Sequence, residues 1–212
     1  RPTMSEQREV VILSGVRTAI GDYGGSLKDI PPSELAARVV KEAVSRAKID
    51  PKDVGQCVIG NVIHTEPKDM YISRLACVNG GLPHDTGALT LNRLCGSGFQ
   101  AIVTASQYIL LGDADAAVAG GAESMSRGAY ASTTQRWGAR MGDAAMVDMM
   151  LAALHDPFDN IHMGETAENL AESHQITRGD QDALAIESHR RASRAIAEGR
   201  FTQQILPVRL KT

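Results

Sequence analysis

Hydrophobic positions along the chain fall into short continuous runs that alternate with longer stretches of helical spacing. Residues 9–14 (EVVILS) form a β-branched run closed by Gly15, which predicts a buried strand. A loop with Gly21, Gly24 and Gly25 follows, and Pro31-Pro32-Ser33 then starts a helix. Leu35, Val39, Val40, Ala43, Val44 and Ala47 recur along it at helical spacing as far as Lys48. Residues 57–63 are a second apolar run of strand length, and residues 70–78 read as a helix stopped by Asn79-Gly80-Gly81. Residues 89–94 predict a third strand. Residues 98–111 predict a largely apolar helix ended by Gly112-Asp113, and residues 116–119 a fourth strand ending in Gly120-Gly121.

Strands alternating with helices imply an α/β layered fold with a largely parallel sheet. The helix at 98–111 has few polar residues on any face and is expected to be buried between layers. After Glu123 the texture changes. Residues 124–143 are rich in Ser, Thr, Arg, Gly and Met without either periodicity, a long excursion of the kind that carries function or contacts. Residues 164–174 and 178–198 predict helices, the second with Thr177 as N-cap, Asp180 three residues on and Gly199 past its end. Residues 205–210 predict a closing strand, and its position just before Thr212 suggests a longer protein.

Composition narrows the function classes. The 212 residues suit one large domain or two small ones, and 43% hydrophobic with 22% charged residues is ordinary for a globular chain. Lys and Arg total 22 against 25 Asp and Glu, a net charge of −3, which removes the electrostatic motive for general nucleic-acid binding. No run approaches the ~20 apolar residues of a bilayer span, and no apolar run follows the first residues as in a signal peptide. Cys57, Cys77 and Cys95 are an odd count without framework spacing, so reduced thiols and a cytoplasmic location are expected. No His/Cys/Asp/Glu cluster has metal-ligand spacing, so no metal is expected. His189-Arg190-Arg191 with Arg194 could attract phosphates, but Glu187 and Glu198 flank them and a solvated face fits better.

The segment Asn92-Arg93-Leu94-Cys95-Gly96-Ser97-Gly98 carries the most chemistry. A cysteine between a strand and an apolar helix, followed by glycines and a serine, is a nucleophile placement. A sharp strand-to-helix turn holds the side chain at the sheet edge, and glycines allow close approach of substrate and backbone. The helix start adds free N–H groups and a positive dipole end, which stabilise a thiolate or an oxyanion. The same string also suits a buried structural cysteine, as Cys57 and Cys77 do. His162 taken alone reads as an ordinary hydrogen-bonded histidine, and Met163 as core filler.

The string Asn92-Arg93-Leu94-Cys95-Gly96-Ser97-Gly98-Phe99-Gln100-Ala101 resembles the nucleophile signature of the thiolases, which make or cleave 3-ketoacyl-CoA. Val16-Arg17-Thr18-Ala19-Ile20-Gly21, Gly60-Asn61-Val62, Gly120-Gly121-Ala122-Glu123-Ser124-Met125-Ser126 and His162-Met163-Gly164-Glu165-Thr166-Ala167-Glu168-Asn169 are similar to further family blocks, in family order. The resemblance runs from Arg8 to Thr212 and covers about half a thiolase.

What the resemblance implies is specific. Cys95 would be the nucleophile that accepts the acyl group. His162 would lie near the pantetheine and thioester end of coenzyme A, Met163 in the acyl pocket, and Leu154 against CoA. His64, His84, His155, His174 and His189 match none of the oxyanion-hole and proton-shuttle motifs that the family carries in its second half. The fold would be the first of two βαβαβαββ halves, a five-stranded mixed sheet with a buried helix, plus part of an α-rich loop domain. Residues 1–8 would be a tail or expression remnant, 9–123 the nucleophile-bearing core half, and 124–212 the loop domain with its oligomerisation loop. The substrates would be acetyl-CoA and acyl-CoA, with no cofactor, and the assembly a homodimer or homotetramer. The family's acid/base residues lie beyond these 212 residues, so this chain alone is expected to be inactive. A decarboxylating ketoacyl synthase shares the layered fold but resembles the sequence less well. A non-catalytic CoA-binding or assembly half is the alternative from outside the enzymes.

Overall fold

The computed structural model describes residues 8–210. The expected tail at 1–8 lies outside the described residues except for Arg8, which pairs with Asp115 at 2.6 Å. The chain divides into two compact units, one running to Met150 and resumed from Leu206, the other Leu151–Ile205.

In the first unit the order is α1 (Pro32–Ala47), β1 (Val54–Gly60), α2 (Ile72–Asn79), β2 (Gly87–Leu91), α3 (Ser97–Leu111) and β3 (Ala116–Gly121). The turn residues act where expected: a proline opens α1, and Gly112, with φ 82, closes α3 in the left-handed region. The strands form a parallel sheet in the order β2-β1-β3. Parallel neighbours need crossovers, which α2 and α3 supply. The chain steps one way from β1 to β2 and the other way from β2 to β3, so right-handed crossovers place the two helices on opposite faces. Side chains on β1 follow the pleat. Cys57 and Ile59 pack with Val40, Val44, Ile72 and Cys77 of the α1–α2 layer, while Val58 packs on Ala101 and Ala105 of α3.

Expectations are corrected in three places: the sheet, the two runs at 9–14 and 205–210, and α3. Among the described residues the main sheet has three parallel strands, not five in a mixed sheet. Residues 9–14 carry no strand, with Val11, Ile12 and Leu13 exposed. Ser14 Oγ ties the run to α1 by donating to Ala43 O at 2.7 Å, and a cleft of about 1010 Å³ opens beside it, lined by Val10, Ile12, Val39, Ile109 and Val118. A continuous apolar run needs cover on both faces and pairing on its edges to become a strand. Here β3 is the last strand on its side, and no described strand offers the run a second edge. Residues 205–210 likewise form no strand. Their tie is the Leu206 N–H to Arg17 O at 2.7 Å.

The third correction concerns α3, which is not buried between layers. Its Ser97, Ala101 and Ala105 side is buried, while Phe99, Ile102, Leu110 and Leu111 are exposed. An apolar surround predicts two covering layers, and the described first unit supplies only the sheet. By length and composition alone Leu94–Leu111 is also apolar enough to cross a membrane, a test that core helices pass too, and Ala101 and Ala105 pack it on the sheet.

Residues 124–143 are largely irregular, as their composition implies. A 3-10 turn spans Met125–Arg127, and β4 (Tyr130–Ala131) pairs antiparallel with β5 (Val147–Asp148). Trp137 and Met141 lie 90% and 91% exposed. Helix α4 (Met149–Ala153) leads out of this unit.

The second unit contains α5 (Met163–Ser173) and α6 (Arg178–Ala197), neither with a buried residue. The expected capping box opens α6. Thr177 Oγ1 accepts from Asp180 N–H at 3.2 Å, and the Asp180 carboxylate accepts from Thr177 N–H at 3.0 Å.

Candidate active site

Strands β1 and β2 send the chain to opposite faces of the sheet, and such neighbours mark where open α/β sheets keep their sites, at the carboxyl ends. Cys95 lies in the turn that leaves β2 at that edge. Leu94, immediately before it, takes φ 49, a left-handed conformation that costs a non-glycine residue about 1–2 kcal/mol. The turn is held against that cost from several sides. Asn92 Oδ1 accepts from Leu94 N–H at 2.9 Å. Ser97 Oγ accepts from Arg93 N–H at 2.9 Å and donates to Leu94 O at 2.6 Å. Gly96 N–H donates to Arg93 O and Ser97 N–H to Leu94 O. The Arg93 guanidinium is bonded to Gln100, one turn into α3.

The three cysteines separate by environment. All are free thiols, and only Cys95 is exposed. Burial, then the neighbouring Cys77, pushes the Cys57 thiol up to about 12. Burial also raises Cys77. The structural reading of a buried cysteine therefore fits Cys57 and Cys77, and it does not fit Cys95, which is exposed.

Glycines set how closely α3 approaches the sheet. A Cβ on Gly60 would stand 2.6 Å from Ser97 Cβ and 2.7 Å from its carbonyl carbon, so β1 can meet the first turn of α3 only with glycine there. A Cβ on Gly121 would stand 3.2 Å from Gly98 Cα. A Cβ on Gly98 itself would meet the Gly121 backbone only at an ordinary 3.9 Å, so the tight position of this pair is Gly121. Gly96 has only an ordinary contact to make, with Arg93 O at 3.5 Å.

Two blocks distant in sequence meet beside this turn. Glu123, just past β3, accepts from Asn61 Nδ2 at 3.1 Å, Val62 N–H at 2.9 Å and Ile63 N–H at 3.0 Å. Asn61 Nδ2 also donates to Ala122 O at 3.0 Å. The residue as a whole is exposed, yet its carboxylate is turned onto these donors. Partial loss of water there raises its carboxyl above the ordinary range, and the two backbone donors oppose the rise. Sequence reasoning gave Glu123 no role. An acidic residue at a strand's end, facing N–H groups of the loop after β1, becomes visible only once β1 and β3 are known to be neighbours.

The remaining predicted site residues lie in the second unit, where a hairpin brings them together. Met163 N–H donates to Leu154 O at 2.9 Å, and Asp156 N–H to Ile161 O at 2.9 Å. Asp156 accepts from Phe158 N–H at the tip, and Asn160 takes φ 55, a conformation that asparagine tolerates. Asp156-Pro157 and Asn160 are turn signals that could have announced the hairpin. Leu154 is half-buried, and His162 and Met163 are exposed. His162 is the N-cap of α5, its Nδ1 accepting from Gly164 N–H at 3.0 Å. Opposite it stands His155, which sequence reasoning left without a role, with ring centroids 5.4 Å apart and an interplanar angle of 89°. Among the described residues no group of three or more His, Cys, Asp or Glu side chains could hold a metal ion.

Comparison with known proteins follows the same lines. A family model described as "Thiolase, N-terminal domain" matches residues 10–212. The beta-ketothiolase BktB of Cupriavidus necator is 64% identical over 201 residues, 95% of this chain and 51% of that protein. An acetyl-CoA acetyltransferase of the same organism is 43% identical, over 94% of this chain and 51% of its own length. The crystal structure of the Bacillus anthracis acetyl-CoA acetyltransferase superposes with a TM-score of 0.91 at 41% identity, over 95% of this chain and 51% of that one. The human mitochondrial 3-ketoacyl-CoA thiolase, solved in complex with CoA, gives 0.89 at 37% identity, over 92% and 50%. The chain thus spans about half the length of the curated relatives it matches.

Proposed function

This chain belongs to the thiolase family, and on that footing we propose that it carries the acyl-accepting part of an acyltransferase that makes or cleaves 3-ketoacyl-CoA. The observation that supports the reading is the placement of Cys95, an exposed thiol on a strained turn between a strand's carboxyl end and a helix start. Residues 9–123 are the nucleophile-bearing core half and 124–212 the loop domain of the whole protein.

In the synthetic direction the Cys95 thiolate attacks the carbonyl carbon of acetyl-CoA. The carbon–sulfur bond to CoA breaks, CoA leaves as the thiol after taking a proton, and the acetyl group remains on Cys95 as a thioester. A second acyl-CoA gives up an α-proton, and its carbanion attacks the acetyl carbonyl. The Cys95 thiolate is expelled, and 3-ketoacyl-CoA departs. Thiolysis is the reverse. The start of α3 offers N–H groups and a positive dipole end near the developing oxyanion. His162, Met163 and Leu154 are the substrate-binding residues, His162 toward the pantetheine and thioester, Met163 toward the acyl group, Leu154 toward CoA. The substrates are acetyl-CoA and acyl-CoA, no cofactor takes part, and the whole protein works as a homodimer or homotetramer in the cytoplasm. These 212 residues alone do not turn over.

The test uses the full-length protein with acetyl-CoA and, separately, a malonyl thioester. Acetyl transfer to the peptide containing Cys95, lost with turnover in Cys95→Ser, is the expected result. Acetylation of another residue, undiminished turnover in the variant, or turnover with the malonyl thioester alone would overturn it.

A further inference from the structure

The histidine pair on the hairpin of the second unit determines which nitrogen His162 has free. Gly164 N–H is a donor, so His162 Nδ1, 3.0 Å from it, accepts and carries no proton. The proton of the neutral ring then sits on Nε2. Among the described residues Nε2 has no hydrogen-bond partner, so His162 presents a donor and not a base. Its ring is exposed, and an exposed histidine ordinarily samples several rotamers.

His155 supplies the restraint. Its Nδ1 lies 2.8 Å from Leu151 O, and a carbonyl oxygen only accepts, so Nδ1–H donates and that ring is anchored to α4, just before the hairpin. His155 is half-buried, and its ring meets that of His162 at 89° with centroids 5.4 Å apart, an edge-to-face contact. The two rings stand opposite each other on the hairpin, His155 in its first arm and His162 at the end of its second. One end of the His162 ring is held by the N-cap bond and its side by the anchored neighbour.

We infer that His155 is a positioning residue: it holds the His162 ring so that Nε2–H stands ready as a hydrogen-bond donor to a carbonyl oxygen of the bound thioester substrate. The inference rests on the reading of His162 as a substrate-binding residue. A ligand carbonyl, amide or thioester, is the chemical class that a neutral Nε2–H selects. Pre-orienting the donor removes the ordering cost that a free rotor would meet on binding.

The experiment has two arms on the full-length protein. In the first, with histidine nitrogens isotopically labelled, wild-type His162 is expected to show an unprotonated Nδ1 and a protonated Nε2. Two variants dissect His155. His155→Phe keeps a ring but loses the bond to Leu151 O, and His155→Asn keeps a donor but loses the ring. Each is expected to shift the His162 resonances toward averaging between tautomers. In the second arm each variant raises KM for acetyl-CoA about three- to tenfold with kcat within about twofold, the pattern of lost ground-state and transition-state binding alike. His162→Ala sets the ceiling, and neither His155 variant exceeds it. A wild-type proton on Nδ1 would overturn the inference, as would His162 resonances and KM unchanged in both variants. Failure of the functional reading is distinguishable. It shows as Cys95→Ser retaining turnover, while the ring resonances still decide the coupling of His155 to His162.

Discussion

Gly60 and Ser97 stand so close that a single added carbon separates a packed turn from a clash: a Cβ on Gly60 would lie 2.6 Å from Ser97 Cβ and 2.8 Å from Ser97 O. Ser97 in turn ties down both Arg93 and Leu94, so the shape of the Cys95 turn rests on the end of β1. Gly60→Ala is expected to destabilise the protein by about 1–3 kcal/mol, the usual cost of overpacking. It should also slow alkylation of Cys95, since the contact is largely with backbone. Gly120→Ala, where a Cβ meets nothing within 4 Å, is the matched control and should leave both nearly unchanged. Equal thermal unfolding and equal labelling rates for the two variants would refute the point.

The thiols should react in a fixed order. Limited iodoacetamide at mildly alkaline pH is expected to label Cys95 well before Cys57 or Cys77, because the thiolate is the reactive form and burial disfavours it at the other two. Peptide mass mapping reads the order directly. Early labelling of Cys57, with Cys95 untouched, would contradict the assignment.

Alkaline pH should weaken the fold through the same buried pair. Folded Cys57 keeps its proton up to about 12, whereas an unfolded thiol loses it near about 8.5. The folded state therefore binds more protons in that window. Its advantage is complete below the unfolded value and is lost as pH rises toward the folded one. Tm is expected to fall across this range, and less steeply in a Cys57→Ala, Cys77→Ala double variant. An identical slope in both proteins would dismiss the thiols as the cause.

Glu123→Gln separates charge from hydrogen bonding at the strand ends. The carboxylate accepts three bonds through two oxygens, from Asn61, Val62 and Ile63. A glutamine offers one oxygen and must turn an NH2 toward a remaining donor. A loss of about 1–2 kcal/mol is expected in denaturant unfolding, the scale of one unmade hydrogen bond. A variant as stable as the parent would mean that the carboxylate does not hold the loop after β1.

Trp137 and Met141, 90% and 91% exposed on the 124–143 excursion, should be contact residues of the oligomer. Light scattering on the full-length protein is expected to give a dimer or tetramer. A Trp137→Ser, Met141→Ser double variant should lower the mass of the particle. A monomer at micromolar concentration for the parent protein would remove this role.

Local signals carried through wherever a single element could satisfy them. Pro32 opens α1, Gly112 closes α3, and Thr177 with Asp180 caps α6, because caps and turns are decided within a few residues. The runs that became β1, β2 and β3 were legible for the same reason, with boundaries shifted by a few residues. Cys95 stood out because its glycines and serine lie next to it in the chain. Residues 9–14 and 98–111 show the limit. Apolar composition states that a segment should be covered, not whether a covering layer is at hand, and here the first stands off the sheet while the second is covered on one side. Tertiary structure alone decided three pairings: Gly60 with Ser97, Asn61 with Glu123, and His155 with His162. The first two join residues far apart in sequence, one through the packing of α3 on β1 and one through the adjacency of β1 and β3, neither of which a local pattern encodes. The third needs a hairpin whose turn residues are local but whose ring-to-ring geometry is set only when its two arms close.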